Sequence, residues 1–163
     1  MAFVDEIKVV MKAGRGGDGV VRWLHARGKE FGGPSGGDGG RGGSIYARGV
    51  RNLNLLTRYQ YKKKFTAQDG DAGAAKSMHG KDGEDLTLDV PVGTIVRNLE
   101  TGKSHQLLLE GETIMLLSGG KGGRGNESFK SSRNVAPIER TPGEEGEEGP
   151  GTCFSFATFS LVA

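Results

Sequence analysis

Apolar and polar residues alternate along this chain in short runs, and stretches with almost no side chains separate the runs. Ile7, Val9 and Met11 alternate with Lys8, Val10 and Lys12, which predicts a strand over residues 3–11. The same period of two marks residues 44–50, where Ile45 and Ala47 alternate with Tyr46 and Arg48. Leu86, Leu88 and Val90 alternate with Thr87 and Asp89, the signature of a half-buried strand. Pro91-Val92-Gly93-Thr94 predicts a turn, after which Ile95 and Val96 resume the strand. Glu100-Thr101-Gly102-Lys103 predicts a hairpin turn. Residues 107–109 and 113–117 read as two more strands around Glu110-Gly111-Glu112, and residues 129–138 as a polar loop. Between 52 and 65 the signals mix. Tyr59 and Tyr61 fit a period of two beside Lys62, Lys63 and Lys64, while Leu53–Leu56 suits a helical turn. Trp23, the only tryptophan, reads as a core residue. Many short strands and no long helix predict an all-β fold.

The stretches between the strands are glycine-rich, with a spacing of three. In residues 32–43, Gly33, Gly36, Gly39 and Gly42 form one row and Gly37, Gly40 and Gly43 a second. A polyproline II helix has three residues per turn, so each row runs down one edge of such a helix. An edge without Cβ atoms lets another backbone approach closely. The spacing returns at Gly14 and Gly17, Gly16 and Gly19, Gly70 and Gly73, Gly80 and Gly83. It returns again at Gly119, Gly122 and Gly125, and at Gly120 and Gly123. These segments predict a bundle of left-handed extended helices joined by backbone hydrogen bonds. Collagen is excluded, because there is no continuous triplet repeat and only 5 prolines. A disordered RGG-type sequence is the competing reading of Gly14-Arg15-Gly16-Gly17, Gly40-Arg41-Gly42-Gly43 and Gly123-Arg124-Gly125.

Composition adds a partner class. The net charge of +2 is uninformative, but residues 8–64 hold thirteen Lys or Arg against three acids. Glu144, Glu145, Glu147 and Glu148 supply much of the compensation. A basic half on a near-neutral chain points to a polyanion. Cys153 is the single cysteine, which fits a reducing compartment. Residues 1–12 lack the apolar run of a signal peptide, and no stretch is long enough to span a bilayer, so the expected location is the cytoplasm.

Catalytic chemistry finds no foothold. Gly102-Lys103-Ser104 resembles the end of a phosphate-binding loop, but Arg97 stands where that motif needs glycine. His25, His79, His105 and Cys153 share no metal-ligand spacing, and no metal is expected. Asp82, Glu84 and Asp85 read as a charged turn before a strand. What remains is a contact surface built from the loops between glycine segments. His25, Arg27 and Lys29 lie on the first, and Lys76, His79 and Lys81 on the second. Lys121, Arg124 and Lys130, with Asn126 and Phe129, lie on the third. Brought to one end of a bundle, they form a basic tip able to contact phosphates and stack on bases. The competing reading is a set of unrelated solvated loops on a structural module.

The motifs together resemble the N-terminal glycine-rich domain of the Obg family of GTPases. They are Phe3-Val4-Asp5, Gly14-Arg15-Gly16-Gly17-Asp18-Gly19, residues 32–43, Gly80-Lys81-Asp82-Gly83-Glu84-Asp85 and Val90-Pro91-Val92-Gly93-Thr94. Gly119-Gly120-Lys121-Gly122-Gly123-Arg124-Gly125-Asn126, Phe129-Lys130-Ser131-Ser132 and Pro142-Gly143-Glu144-Glu145-Gly146-Glu147 follow in family order. The resemblance implies a small barrel-like, jelly-roll-like base carrying the left-handed glycine helices, with Gly80, Gly120 and Gly123 among the structural glycines. It also implies a monomer that binds the large ribosomal subunit during assembly, its tip reaching ribosomal RNA in the peptidyl-transferase region. The first tip departs from the family's aromatic-Arg-Arg-Glu-Lys-like pattern, reading Trp23-Leu24-His25-Ala26-Arg27. The family continues into a GTPase domain that uses GTP and Mg²⁺. Here residues 1–149 form the expected domain, and 150–163 a divergent tail without nucleotide motifs, so no cofactor and no catalysis are expected of this chain.

Overall fold

The computed structural model describes residues 6–25, 27–28, 32–52, 54–98 and 102–156. The alternating runs become strands: β1 (Glu6–Lys12), β2 (Ile45–Val50), β3 (Lys64–Thr66), β4 (Leu86–Pro91), β5 (Thr94–Asn98), β6 (Ser104–Gln106), β7 (Thr113–Leu117) and β8 (Glu148–Phe156). One sheet has the order β3-β1-β8-β5-β6 and the other β4-β2-β7. The pairs β1–β3 and β2–β4 are parallel and the rest antiparallel. The inward residues of both sheets meet in one core: Ile7, Val9 and Met11 from β1, Ile45 and Ala47 from β2, Leu88 and Val90 from β4, Val96 from β5 and Leu117 from β7. Two facing sheets therefore form the base, and the all-β expectation is met.

Several local expectations need correction. Residues 55–61 form helix α1 (Leu55–Tyr61), not a strand through Tyr59 and Tyr61. Leu55 and Tyr59 lie four apart, so a helix buries both on one face while Tyr61 stays 91% exposed. Residues 107–109 are not a strand. Leu107 is buried, and the Glu112 carboxylate accepts the Leu108 and Leu109 N–H groups at 3.0 and 3.3 Å, which curls the chain there. Trp23 is half-buried beside Pro34 and outside the core. β8 crosses the division expected between 149 and 150. Its backbone pairs with β1 on one side and β5 on the other, so residues 150–156 share the sheet of the preceding domain. Residues 3–5, Glu100 and Thr101 lie outside the described residues.

The glycine tracts run out from the base as six segments, 13–21, 35–44, 67–75, 78–85, 118–126 and 141–147, tied by hydrogen bonds that return every third residue. The Gly14 and Gly17 N–H groups reach Gly43 and Gly40 O, both at 2.8 Å, and those of Gly120 and Gly123 reach Gly14 and Gly17 O at 2.9 and 2.8 Å. Segment 35–44 is central. Every backbone N–H from 36 to 44 is donated within the protein. A Cβ on Gly36, Gly39 or Gly42 would overlap the carbonyls of Val20, Gly17 or Gly14. One on Gly37, Gly40 or Gly43 would overlap those of Met78, Lys81 or Glu84. Gly80, Gly120 and Gly123 are equally closed, against Asp71, Glu144 and Thr141. Gly33 is the exception: nothing lies within 4 Å of its Cβ position, and its φ is +106°. It serves a turn that an L-side chain resists, not a packed row.

Candidate nucleic-acid interface

Because the segments alternate away from and back to the base, their three connections meet at the far end. The first closes with the Leu24 N–H donated to Gly33 O at 2.9 Å and the Ser35 N–H to Arg22 O at 2.9 Å. The second is a tight turn with Lys76 and Ser77 both at φ +60°, and the Ser77 N–H reaches Ser35 O at 2.9 Å. The third opens with a 3-10 turn, Asn126–Phe129, and returns at Thr141, whose N–H reaches Arg124 O at 2.9 Å.

Two side chains lock the connections together. The Asp38 carboxylate accepts the Gly125 N–H at 2.7 Å and the Ser128 hydroxyl at 2.6 Å, while the Asp38 N–H is donated to His79 Nδ1 at 3.1 Å. Asn126 is wholly buried. Its Oδ1 accepts the Gly36 and Arg22 N–H groups at 2.8 and 3.3 Å, and its Nδ2 donates to Arg22 O and Pro137 O at 3.0 and 3.2 Å. Expected as an RNA contact, Asn126 is instead spent inside the protein. His79 keeps an exposed ring, but its Nδ1 is an internal acceptor.

Several acids of the glycine tracts are also used internally. Asp69, Asp82 and Asp85 each accept a backbone N–H at 2.8 Å, from Arg15, Arg41 and Ser44. Asp18 accepts the Gly143 N–H at 2.8 Å, a bond that, with the Arg15 guanidinium, holds this carboxyl below its ordinary range against some desolvation. Those carboxylates bind neighbouring segments, and most of the expected contact side chains stay outside. His25, Arg27, Lys76, Lys81, Lys121, Arg124 and Lys130 are exposed, and none of them pairs with an acid among the described residues. Ion pairs consume Arg15 in the bundle, with Asp18 and Glu145, and Lys12, Arg48 and Arg51 in the base.

The expected contact residues do not form one cluster. His25, Arg27, Lys76 and Lys130 sit on the far-end turns, with His79 and Arg124 just below and Phe129 half-buried there. Lys81 stands level with Gly40 and Lys121 beside Gly120, both partway down the flank. Lys121 also borders a groove of about 540 Å³ with Arg41, Glu144, Glu145 and Glu147, where acids offset its field. Lys29 lies outside the described residues. Sequence reading missed apolar side chains on the same turns: Leu24, Met78, Val135 and Ile138 are 43%, 57%, 65% and 76% exposed. The available signal is Val135 and Ile138 flanking Pro137 in an otherwise polar loop. No group of three or more His, Cys, Asp or Glu suited to a metal occurs among the described residues.

Two facing sheets carrying a close-packed glycine bundle, with cations on its connecting turns, define a glycine-rich all-β domain. Residues 4–151 match the model of the GTP1/OBG family, and the chain belongs to that family. It is 46% identical over 147 residues to the GTPase Obg of Aquifex aeolicus (strain VF5), an alignment covering 90% of this chain and 43% of that protein. The chain therefore spans less than half the length of that relative.

Proposed function

We propose that this domain is the ribosome-binding part of an Obg-type assembly GTPase, contacting large-subunit ribosomal RNA during biogenesis through its far-end turns. The observation that carries this reading is the sorting of charge. Asp18, Asp38, Asp69, Asp82 and Asp85 of the segments are drawn into backbone hydrogen bonds, while Arg27, Lys76 and Lys130 on three converging turns keep no acid partner among the described residues. A field of unpaired cations suits phosphates. His25, Arg27, Lys76, His79, Arg124, Lys130 and Phe129 are the proposed contacts, with Lys81 and Lys121 steering from the flank. On this reading the domain acts as a monomer in the cytoplasm and holds no nucleotide, and GTP and Mg²⁺ belong to another part of the longer family proteins. No helix among the described residues is long and apolar enough to cross a membrane. The threefold recurrence of the bundle's contacts supports left-handed extended helices as the segments' conformation.

Co-sedimentation with purified large subunits over a salt series tests the proposal. Binding is expected at low salt and should weaken steeply as salt rises. Lys76→Glu, Arg124→Glu and Lys130→Glu together should abolish it without changing the thermal melt. Leu24, Met78, Val135 and Ile138 favour a second reading, a rigid module that docks on protein through an apolar end. Binding that ignores both salt and charge reversal would select that reading.

A further inference from the structure

We infer that Asn126 is the positioning residue of the interface: its buried carboxamide fixes where the first and third turns stand relative to the central segment. This deepens the ribosome-binding reading and rests on it. A carboxamide offers two lone pairs and two N–H donors on one carbon, and Asn126 uses all four. Oδ1 takes an N–H from the central segment at Gly36 and one from the first connection at Arg22. Nδ2 gives one hydrogen to Arg22 O and the other to Pro137 O in the third connection. The residue's own N–H goes to Val20 O at 3.0 Å. One side chain therefore bridges three parts of the chain. Pro137 is the one buried residue between 131 and 140, so this bond anchors an otherwise exposed loop.

The clamp is local. Closer to the base, segment 118–126 is held without Asn126, by the Gly42 and Gly39 N–H groups on Gly120 and Gly123 O at 2.9 and 2.8 Å. Losing the carboxamide should free the turns and spare the bundle. Asn126→Ala removes it. Asn126→Gln keeps every donor and acceptor but moves them by one methylene, which covers the case in which the alanine variant fails to fold.

Amide hydrogen exchange and large-subunit binding, measured on the same proteins, test the inference. Asn126→Ala should speed exchange at Gly36 and Arg22, leave Gly39 and Gly42 protected, and weaken subunit binding about tenfold, the scale of 1.4 kcal/mol. Lys130→Glu should weaken wild-type binding but cost little on the Asn126→Ala background, because an unheld turn no longer presents that lysine. Asn126→Gln should fold and bind weakly. Undiminished binding by either variant overturns the inference. So does equal cost of Lys130→Glu on both backgrounds, or loss of protection at Gly39 and Gly42 together with Gly36. If the wild-type protein itself does not bind subunits, the ribosome-binding reading fails, and the clamp then stands or falls on the exchange at Gly36 and Arg22 alone.

Discussion

In the base, Val9, Ile45 and Val90 are fully withdrawn from solvent and their burial drives two sheets together. In the bundle, Gly40, Gly42 and Gly43 are just as enclosed with no side chain to bury. The base gains from what its residues carry, and the bundle from what its residues lack. This difference sets opposite tolerances: the base should accept smaller residues at a graded cost, and the bundle should accept no larger ones. The sharpest break is Gly40→Ala, whose new Cβ would overlap the Lys81 carbonyl, so two backbones must part. The expected loss is about 4 kcal/mol or more, read from denaturant unfolding. Ile45→Ala in the base should cost about 3 kcal/mol, the usual scale for emptying a buried aliphatic site. Gly33→Ala, with open space around it but a φ of +106°, should cost about 1–2 kcal/mol through backbone strain alone. A Gly40→Ala variant milder than Ile45→Ala would mean that the segments are not in close contact.

Legibility followed the same divide. The base was readable where one strand's alternation decides burial, as in β1 and β4. It failed at α1, where Leu55 and Tyr59 are four apart but Tyr59 and Tyr61 suggested a strand. The bundle was readable as rows, because a spacing of three needs no knowledge of partners. What each row faces was not readable. Gly33 continues the spacing of Gly36, Gly39 and Gly42 yet belongs to a turn. The acceptor roles of Asp82 and Asp85 depend on a parallel register between residues 41 apart, which no local pattern encodes. Asn126, expected as a contact, is buried instead. An asparagine after a glycine row looks like a surface contact until the fold shows the first and third connections closing over it against the central segment.

pH should separate the two regions. Asp18 in the bundle has its carboxyl held low, chiefly by the Gly143 N–H. A lowered folded value means stability that is present above the ordinary carboxylate range and lost as pH falls through it toward the folded value. Urea midpoints taken downward from neutral pH should therefore fall, and Asp18→Asn, which keeps the acceptor oxygen, should flatten that dependence. The base responds at the other extreme. Burial, with the Asp89 charge, pushes the Tyr59 phenol up to about 12, so its contribution is complete below about 10 and is lost as pH rises toward 12. Tyr59→Phe should remove that alkaline dependence. At neutral pH it should cost about 1 kcal/mol for the hydroxyl's bond to Asp89 O at 2.5 Å. Alkaline sensitivity that persists in Tyr59→Phe would point to another group.

The smallest effect has the opposite sign and concerns the junction of structure and function. Lys76 and Ser77 both hold φ +60°, a conformation that costs a side-chain-bearing residue roughly 1–2 kcal/mol. Glycine at 76 would relieve that cost but adds roughly 0.5–1 kcal/mol of unfolded-chain entropy. Lys76→Gly should therefore stabilise the domain slightly, by about 0.5 kcal/mol. Lys76→Asn, a residue that tolerates this region, should be close to neutral. If the turn is only a connector, both variants should bind large subunits as well as the wild type does. If the strained lysine is a contact, both should bind more weakly while melting no lower. Weaker binding without lower stability is an outcome that a purely structural role for Lys76 does not produce, because a residue retained for the fold alone would not be improved by its removal.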